Sequence, residues 1–276
     1  LAILLEPCAR NTAAVAAIAT EYISRIDPDG LILLLPADHF IGMPSAFRKS
    51  VADAVEIAQK GRIVTFGISP SGPETGFGYI KAGEAIGTSA FAVDAFREKP
   101  DQATAMAYLA DGNYSWNAGI FLFPASLMQA ELKAHAPDVL AGATEALDAT
   151  EATNSVLHID EPLFSKIRDI SIDYAVMEHT QKAAVVGPIS CAWSDVGTWP
   201  AFGELHLEPK ESGPVLIDAK NCIVHTDDDT LVAALGVEDL VIAAHDGAVL
   251  VMPKSRAQDV KLVIEALKKR GRTDLL

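Results

Sequence analysis

An α/β fold is the expectation for this chain, and three observations carry it. Strand-like apolar runs alternate with helical patterns through the first two thirds of the sequence, the order expected of βαβ units and a mostly parallel sheet. In the run LILLLPADH (31–39), seven uncharged residues lead straight into Asp38, as in strands covered on both faces. After Trp199 the texture changes to short recurrent β runs closed by a helix.

The elements follow in order. AILLE (2–6) reads as a strand, and an Ala-rich helix from about Asn11 to Arg25 follows, capped by Asn11 or Thr12. Its first turn would offer free N–H groups to whatever fills the sheet's crevice. LILLL (31–35) is the second strand, 44–60 a helix and RIVTFGI (62–68) the third strand. SPSGPETGFGYIK (69–81), with three glycines and two prolines, has the irregularity of a binding loop or a surface turn. FAVDAFREKPD (91–101) is a strand ending in alternating charges, followed by a helix over 102–110. NYSWNAGIFLFP (113–124) sets Asn-Ala-Gly immediately before an aromatic strand. Helices are expected over 125–150, and SIDYAVMEHT (171–180) is expected to form another, capped by Ser171. The loop signals of GELHLEPKESG put a domain boundary within 205–213, giving a larger domain at 1–208 and a β-rich domain at 209–276. A helix from about Arg256 to Arg270 closes the chain, with apolar positions at Val260, Leu262, Val263, Ile264 and Leu267.

Composition narrows the function classes. Half the residues are hydrophobic and 21% are charged, an ordinary globular balance. No apolar stretch approaches the roughly 20 residues of a membrane span. LAILLEPCAR has no basic leader and reads as a strand, not as a targeting segment. The net charge of −15 disfavours nucleic acid and anionic membranes, while leaving room for a small phosphorylated substrate held by a local nest or a divalent ion. Three unevenly spaced cysteines suggest buried thiols in a reducing cytoplasm, and seven histidines without HxH or HxxxH pairing give no expectation of a histidine-bound metal.

Two acids are the first candidates for chemistry. Asp38 ends an apolar strand, where open α/β sheets place their ligands, and Asp195 lies in CAWSDVGTW between tryptophans and before Gly197. Together they would suit one Mg²⁺, which takes carboxylate and phosphate oxygens. Either acid alone is equally a helix cap or an Asx turn.

LLEPCARNTAAV, LLLPADH, PETGFGYI, REKPD, WNAGIFLF, SIDYAVMEH and WSDVGTW occur in the order seen in the sugar-1-phosphate nucleotidylyltransferases. Within that family the chain most resembles the bacterial mannose-1-phosphate guanylyltransferases, and the segments around DAKNCIVHTDD resemble the β unit that follows their catalytic domain. The resemblance implies a Rossmann-like mixed sheet with helices on both faces, of the nucleotide-diphospho-sugar transferase type. It implies transfer of GMP from GTP to mannose-1-phosphate, giving GDP-mannose and pyrophosphate. Another sugar-1-phosphate nucleotidylyltransferase, or a noncatalytic subunit or fragment that binds a nucleotide sugar, is the alternative.

By the same resemblance Asp38 and Asp195 hold Mg²⁺, and Lys99 pairs with the sugar phosphate. Glu98 and Asn117 meet sugar hydroxyls, with Gly119 leaving room. Gly76, Gly78 and Tyr79 wrap the hexose through the backbone, and Arg10 and Asn11 help hold the nucleotide. Glu6 is the candidate for reading guanine, since a carboxylate accepts from N1–H and N2–H₂ together; a strand-end charge is the other reading. A homodimer is the expected assembly. Phe77, Ala118, Ala192 and Ala14 stand where the family usually has Tyr, Ser, Gly and Pro. The family's opening loop, GGxGTRLWPxSR, has no counterpart in the 276 residues, so a chain that starts at Leu1 is expected to show little or no transfer by itself.

Overall fold

The computed structural model describes residues 2–153, 155–205, 213–227 and 230–275, and divides into two compact units. The first comprises 1–37 and 41–193, the second 38–40 and 194–276.

In chain order the first unit contains β1 (Ile3–Leu5), α1 (Asn11–Ser24), β2 (Leu31–Leu34), β3 (Phe40–Ile41, whose first residue belongs to the second unit), α2 (Pro44–Ala58), β4 (Ile63–Ile68), β5 (Tyr79–Ala85), β6 (Ala90–Arg97), α3 (Gln102–Asp111), β7 (Tyr114–Pro124), α4 (Ala125–His135), α5 (Pro137–Asp148), β8 (Ala152–Thr153), β9 (Val156–His158), α6 (Glu161–Phe164), a π-helical turn (Asp173–Met177) and β10 (Ala183–Ile189). Next comes β11 (Trp193–Ser194), at the passage into the second unit, and its pairing with β3 is extended by Met43 N–H to the Cys191 carbonyl at 2.9 Å.

Six strands form the main sheet in the order β2-β7-β4-β10-β6-β5, with β5 also pairing β7. The mixed sheet implied by the resemblance is present, but the mostly parallel one expected from the alternation is not. β4 and β10 run parallel, and the other pairs of this sheet are antiparallel. An apolar run encodes burial and not the direction of its partner. β2, expected to be covered on both faces, pairs only with β7 and buries only Ile32 fully. β1 lies in a separate small sheet, parallel to β9.

Both faces of the sheet carry a core. One is built with α1, α4, α5 and the π turn around Phe121, Phe123, Met128, Leu132 and Phe164; the other packs α2 and Ala105 of α3 against Phe66, Tyr79, Ile120 and Leu122. The Ala-rich character of α1 is what lets it approach closely, with Ala13, Ala14, Ala16 and Ala17 fully buried.

Four expectations are corrected here. The 69–81 loop ends at Gly78, because Tyr79 already pairs with Arg97 and Trp116. Asn117-Ala118-Gly119 lies inside β7, not before it, at the register shift where Gly119 takes φ +66°. Residues 171–180 form a short π turn in which Glu178 N–H reaches the Asp173 carbonyl at 3.0 Å, in place of a regular helix; Ser171 Oγ still accepts from Tyr174 N–H at 3.4 Å. At the start of α1, Asn11 is left-handed (φ 59°) and its Oδ1 accepts from Thr12 N–H, while Thr12 Oγ1 accepts from Ile172 N–H at 2.9 Å and so serves a tertiary contact.

The second unit contains α7 (Trp199–Glu204), β12 (Val215–Ile217), β13 (Ile223–Thr226), β14 (Ala233–Leu235), β15 (Leu240–His245), β16 (Ala248–Pro253), a 3₁₀ segment (Lys254–Asp259), α8 (Val260–Lys269) and a final 3₁₀ turn (Thr273–Leu275). Its parallel pairs share one offset: Val215 meets Ala233, Lys220 meets Glu238 and Ile223 meets Val241, each eighteen residues on. That is the winding of a β-helix. The corners repeat with it, since Asp218 and Gly236, and Asn221 and Asp239, all have positive φ. Antiparallel β16 closes the stack on β15.

Candidate active site

The sugar-side residues converge in the first unit. Asn117 is 8% exposed and its side chain belongs to a polar chain: Oδ1 accepts from Thr65 Oγ1–H at 2.9 Å and from Gly119 N–H at 3.1 Å, and Nδ2 donates to Asp173 Oδ1 at 2.9 Å. A strand crossing with a bulge makes this possible, because Gly119 turns its N–H back onto the preceding side chain. Glu98, at the end of β6, has a side chain only 11% exposed and pairs with Lys99 Nζ at 3.1 Å.

At Gly78 a side chain would displace the Glu98 carboxylate. A Cβ there would lie 2.4 Å from Glu98 Oε2 and 3.5 Å from Asn117 Nδ2. The bare α-carbon therefore leaves an acceptor and a donor side by side. Asn117 N–H bonds the Gly78 carbonyl at 2.8 Å and Lys99 N–H bonds that of Phe77 at 3.2 Å, so the loop is tied to both strands. Lys99 takes φ 47° to make that turn, and its side chain remains 60% exposed. A Cβ on Gly76 would meet only open space. Tyr79 is fully buried against Tyr108 and paired on both sides, with Arg97 and Trp116, so neither its side chain nor its backbone faces a ligand, against the expectation that it wraps the hexose.

The nucleotide candidates lie at the start of α1. Arg10 donates from Nη2 to the Ser165 carbonyl, and its Nε is buried without a partner. Glu6 borders an apolar pocket of about 300 Å³ with Leu4, Ile18, Tyr22 and Phe164, where desolvation raises its carboxyl pKa.

Both metal candidates belong to the second unit. Burial lowers the His39 pKa, and the charges of Asp38 and Asp195 act in the opposite direction. Asp195 Oδ1 accepts from Gly197 N–H at 3.1 Å, across a turn in which Val196 is left-handed (φ 52°). Oxygen donors from an exposed and a half-buried acid are the set a Mg²⁺ ion accepts while keeping water or phosphate ligands.

Two participants were missed from the sequence. Thr65 was legible as a polar residue inside the apolar run RIVTFGI, whereas Asp173 read as an ordinary charge at the start of a helix.

The nucleotidyl transferase sequence model matches residues 1–212, and the mannose-phosphate isomerase/GMP-like β-helix model matches residues 213–267. The chain belongs to the nucleotidyl transferase family. A relative from Escherichia coli named mannose-1-phosphate guanylyltransferase is 43% identical over 99% of this chain and 59% of its own length. The alginate biosynthesis protein AlgA of Pseudomonas aeruginosa is 42% identical over 99% and 58%. The chain thus spans about three fifths of the length of these curated relatives. A solved structure from Thermus thermophilus, described as a mannose-1-phosphate geranyltransferase, superposes with TM-score 0.82 at 33% identity over 96% of this chain and 77% of that one. Among the described residues no helix is long and apolar enough to cross a membrane.

Proposed function

We propose that this chain carries the machinery for transfer of GMP from GTP to mannose-1-phosphate, with residues 1–208 as the catalytic domain and 209–276 as the β unit. The observation that supports the reading is the cluster of Gly78, Glu98, Asn117 and Lys99, which sets a carboxylate, an amide and an exposed cation about a residue without a side chain. A hexose 1-phosphate needs those groups: acceptor and donor for hydroxyls, and a cation for phosphate.

In this reading a phosphate oxygen of mannose-1-phosphate attacks the α-phosphorus of GTP, a new P–O bond forms, the α–β bridging bond breaks and pyrophosphate leaves. Asp38 and Asp195 would hold Mg²⁺, which supplies charge neutralisation on the reacting phosphates. Lys99 would neutralise and orient the attacking phosphate, and Glu98 and Asn117 would fix the hexose so that attack is in line. Gly76 would border the sugar. Arg10 and Asn11 would hold the nucleotide at the α1 terminus, and Glu6 would accept from guanine N1–H and N2–H₂. The supply of GTP and three free thiols support a cytoplasmic setting. Exposed Val249 and Val251 on β16 and Leu262 and Val263 on α8 support a homodimer formed through the β unit.

Calorimetry and pyrophosphate release test this on the 276-residue chain. Lys99→Ala is expected to weaken mannose-1-phosphate binding about tenfold or more, the worth of a charge-assisted contact. Asp38→Asn and Asp195→Asn are expected to abolish the Mg²⁺ dependence of GTP binding and any pyrophosphate release. Sugar-phosphate binding indifferent to Lys99→Ala would overturn the reading.

A further inference from the structure

We infer that Asp173 is the positioning residue of the sugar pocket: its carboxylate locks the Asn117 amide in the orientation that leaves one N–H for the ligand beside the Glu98 acceptor. This rests on the functional reading above and adds a residue to it.

Three bonds determine the orientation. An amide has one accepting and one donating end, and a flip exchanges them. Thr65 Oγ1–H and Gly119 N–H both donate to Oδ1, and Asp173 accepts from Nδ2. Removal of Asp173 would leave the donating end held by nothing, and the bond to Thr65 would survive a flip because a hydroxyl also accepts. Gly119 N–H, which can only donate, opposes a flip at the accepting end, and the carboxylate is the group that holds the donating end.

Asp173 is itself well anchored. It opens the π turn, and the preceding segment is pinned to the start of α1 by Ala13 N–H to Ile170 O at 3.2 Å and Ile172 N–H to Thr12 Oγ1 at 2.9 Å. The charged neighbour it feels is Glu98, beside which stands Lys99; Ser171 and Asn117 supply hydrogen bonds. Burial, with Glu98 second, raises its pKa to about 6, so the group exchanges its proton at a pH where the protein can be studied. Protonated, it would no longer present a charged acceptor to Nδ2.

GDP-mannose is the suitable probe, because its diphosphate diester does not titrate near pH 6. Its affinity for the parent chain is expected to fall as pH drops through about 6, and the fall should be absent in Asp173→Asn, which keeps the shape and loses the charge. Asn117→Ala should weaken binding about tenfold, with Asp173→Ala adding little in the double variant, since the second residue acts through the first. A parent chain that does not bind GDP-mannose, or an Asn117→Ala variant that binds it as well as the parent, overturns the sugar-pocket reading and this inference with it. An effect of Asn117→Ala that simply adds to that of Asp173→Ala, or a pH profile unchanged in Asp173→Asn, overturns the inference alone.

Discussion

Asp173 costs the fold something. Its pKa of about 6 lies above the ordinary 3.8, so the folded state binds the proton more tightly than the unfolded chain. The stabilisation from that proton is complete below pH 3.8 and is lost as pH rises through about 6. Near neutrality the ionised carboxylate therefore costs on the order of 3 kcal/mol, the hydrogen bonds from Ser171 and Asn117 already included. Asp173→Asn should accordingly unfold later than the parent at about pH 8, by about 1–3 kcal/mol, with the gap closing at about pH 4. Denaturant midpoints at the two pH values check this; an equal gap at both would mean the charge is not the source. A residue whose ionised form opposes stability is easily mistaken for a surface charge in a sequence. The acids quoted from motifs, Asp38, Glu98 and Asp195, were legible because strand ends and glycines flank them. Asp173, although inside the quoted SIDYAVMEH, was not, because its burial depends on Asn117 of β7 and on the start of α1, two partners remote from it in sequence.

At the scale of elements, the turn from β10 into α7 carries unusual backbone. Ala192 (φ 50°) and Val196 (φ 52°) are both left-handed and bracket Asp195 closely, and a β-branched residue there is a strained one. The side chain of Ala192 is exposed and makes no compensating burial. Ala192→Gly should raise stability by about 1 kcal/mol, from relief of the left-handed penalty less the entropy glycine adds to the unfolded chain. A denaturant midpoint that falls instead would show that the alanine side chain is held by something other than the backbone. Elements with a strong local signature, such as α2, β4 and α4, were read from pattern within a few residues. β5 and β10 were not, since AGEA and AAVVGPI lack bulky alternation and owe their strand form to pairing. The β-helix was missed for a related reason: its period joins VLI to AAL and IVHT to VIAA, segments alike in geometry but not in residue.

Across the whole molecule, charge and apolar surface have different uses. A chain with net charge −15 repels a triphosphate, and on the proposed reading Arg10, Lys99 and a divalent ion at Asp38 and Asp195 would offset that repulsion. The β unit presents the opposite feature. Leu262 and Val263 of α8 border a groove of about 220 Å³ with Val251 and Met252 of β16, and α8 buries no residue. An amphipathic helix whose apolar side lies in water gains roughly 25 cal/mol for each Å² it covers, so a second copy is a sufficient reason for the pattern. The chain should therefore sediment as a dimer, and Leu262→Glu with Val251→Glu should shift it to monomer while leaving sugar-phosphate affinity within about twofold, since neither side chain belongs to the sugar pocket. Sedimentation velocity with calorimetry on the same samples decides it. A parent that is monomeric at micromolar concentration would reject self-association, and a double variant that remains dimeric would move the interface away from this groove.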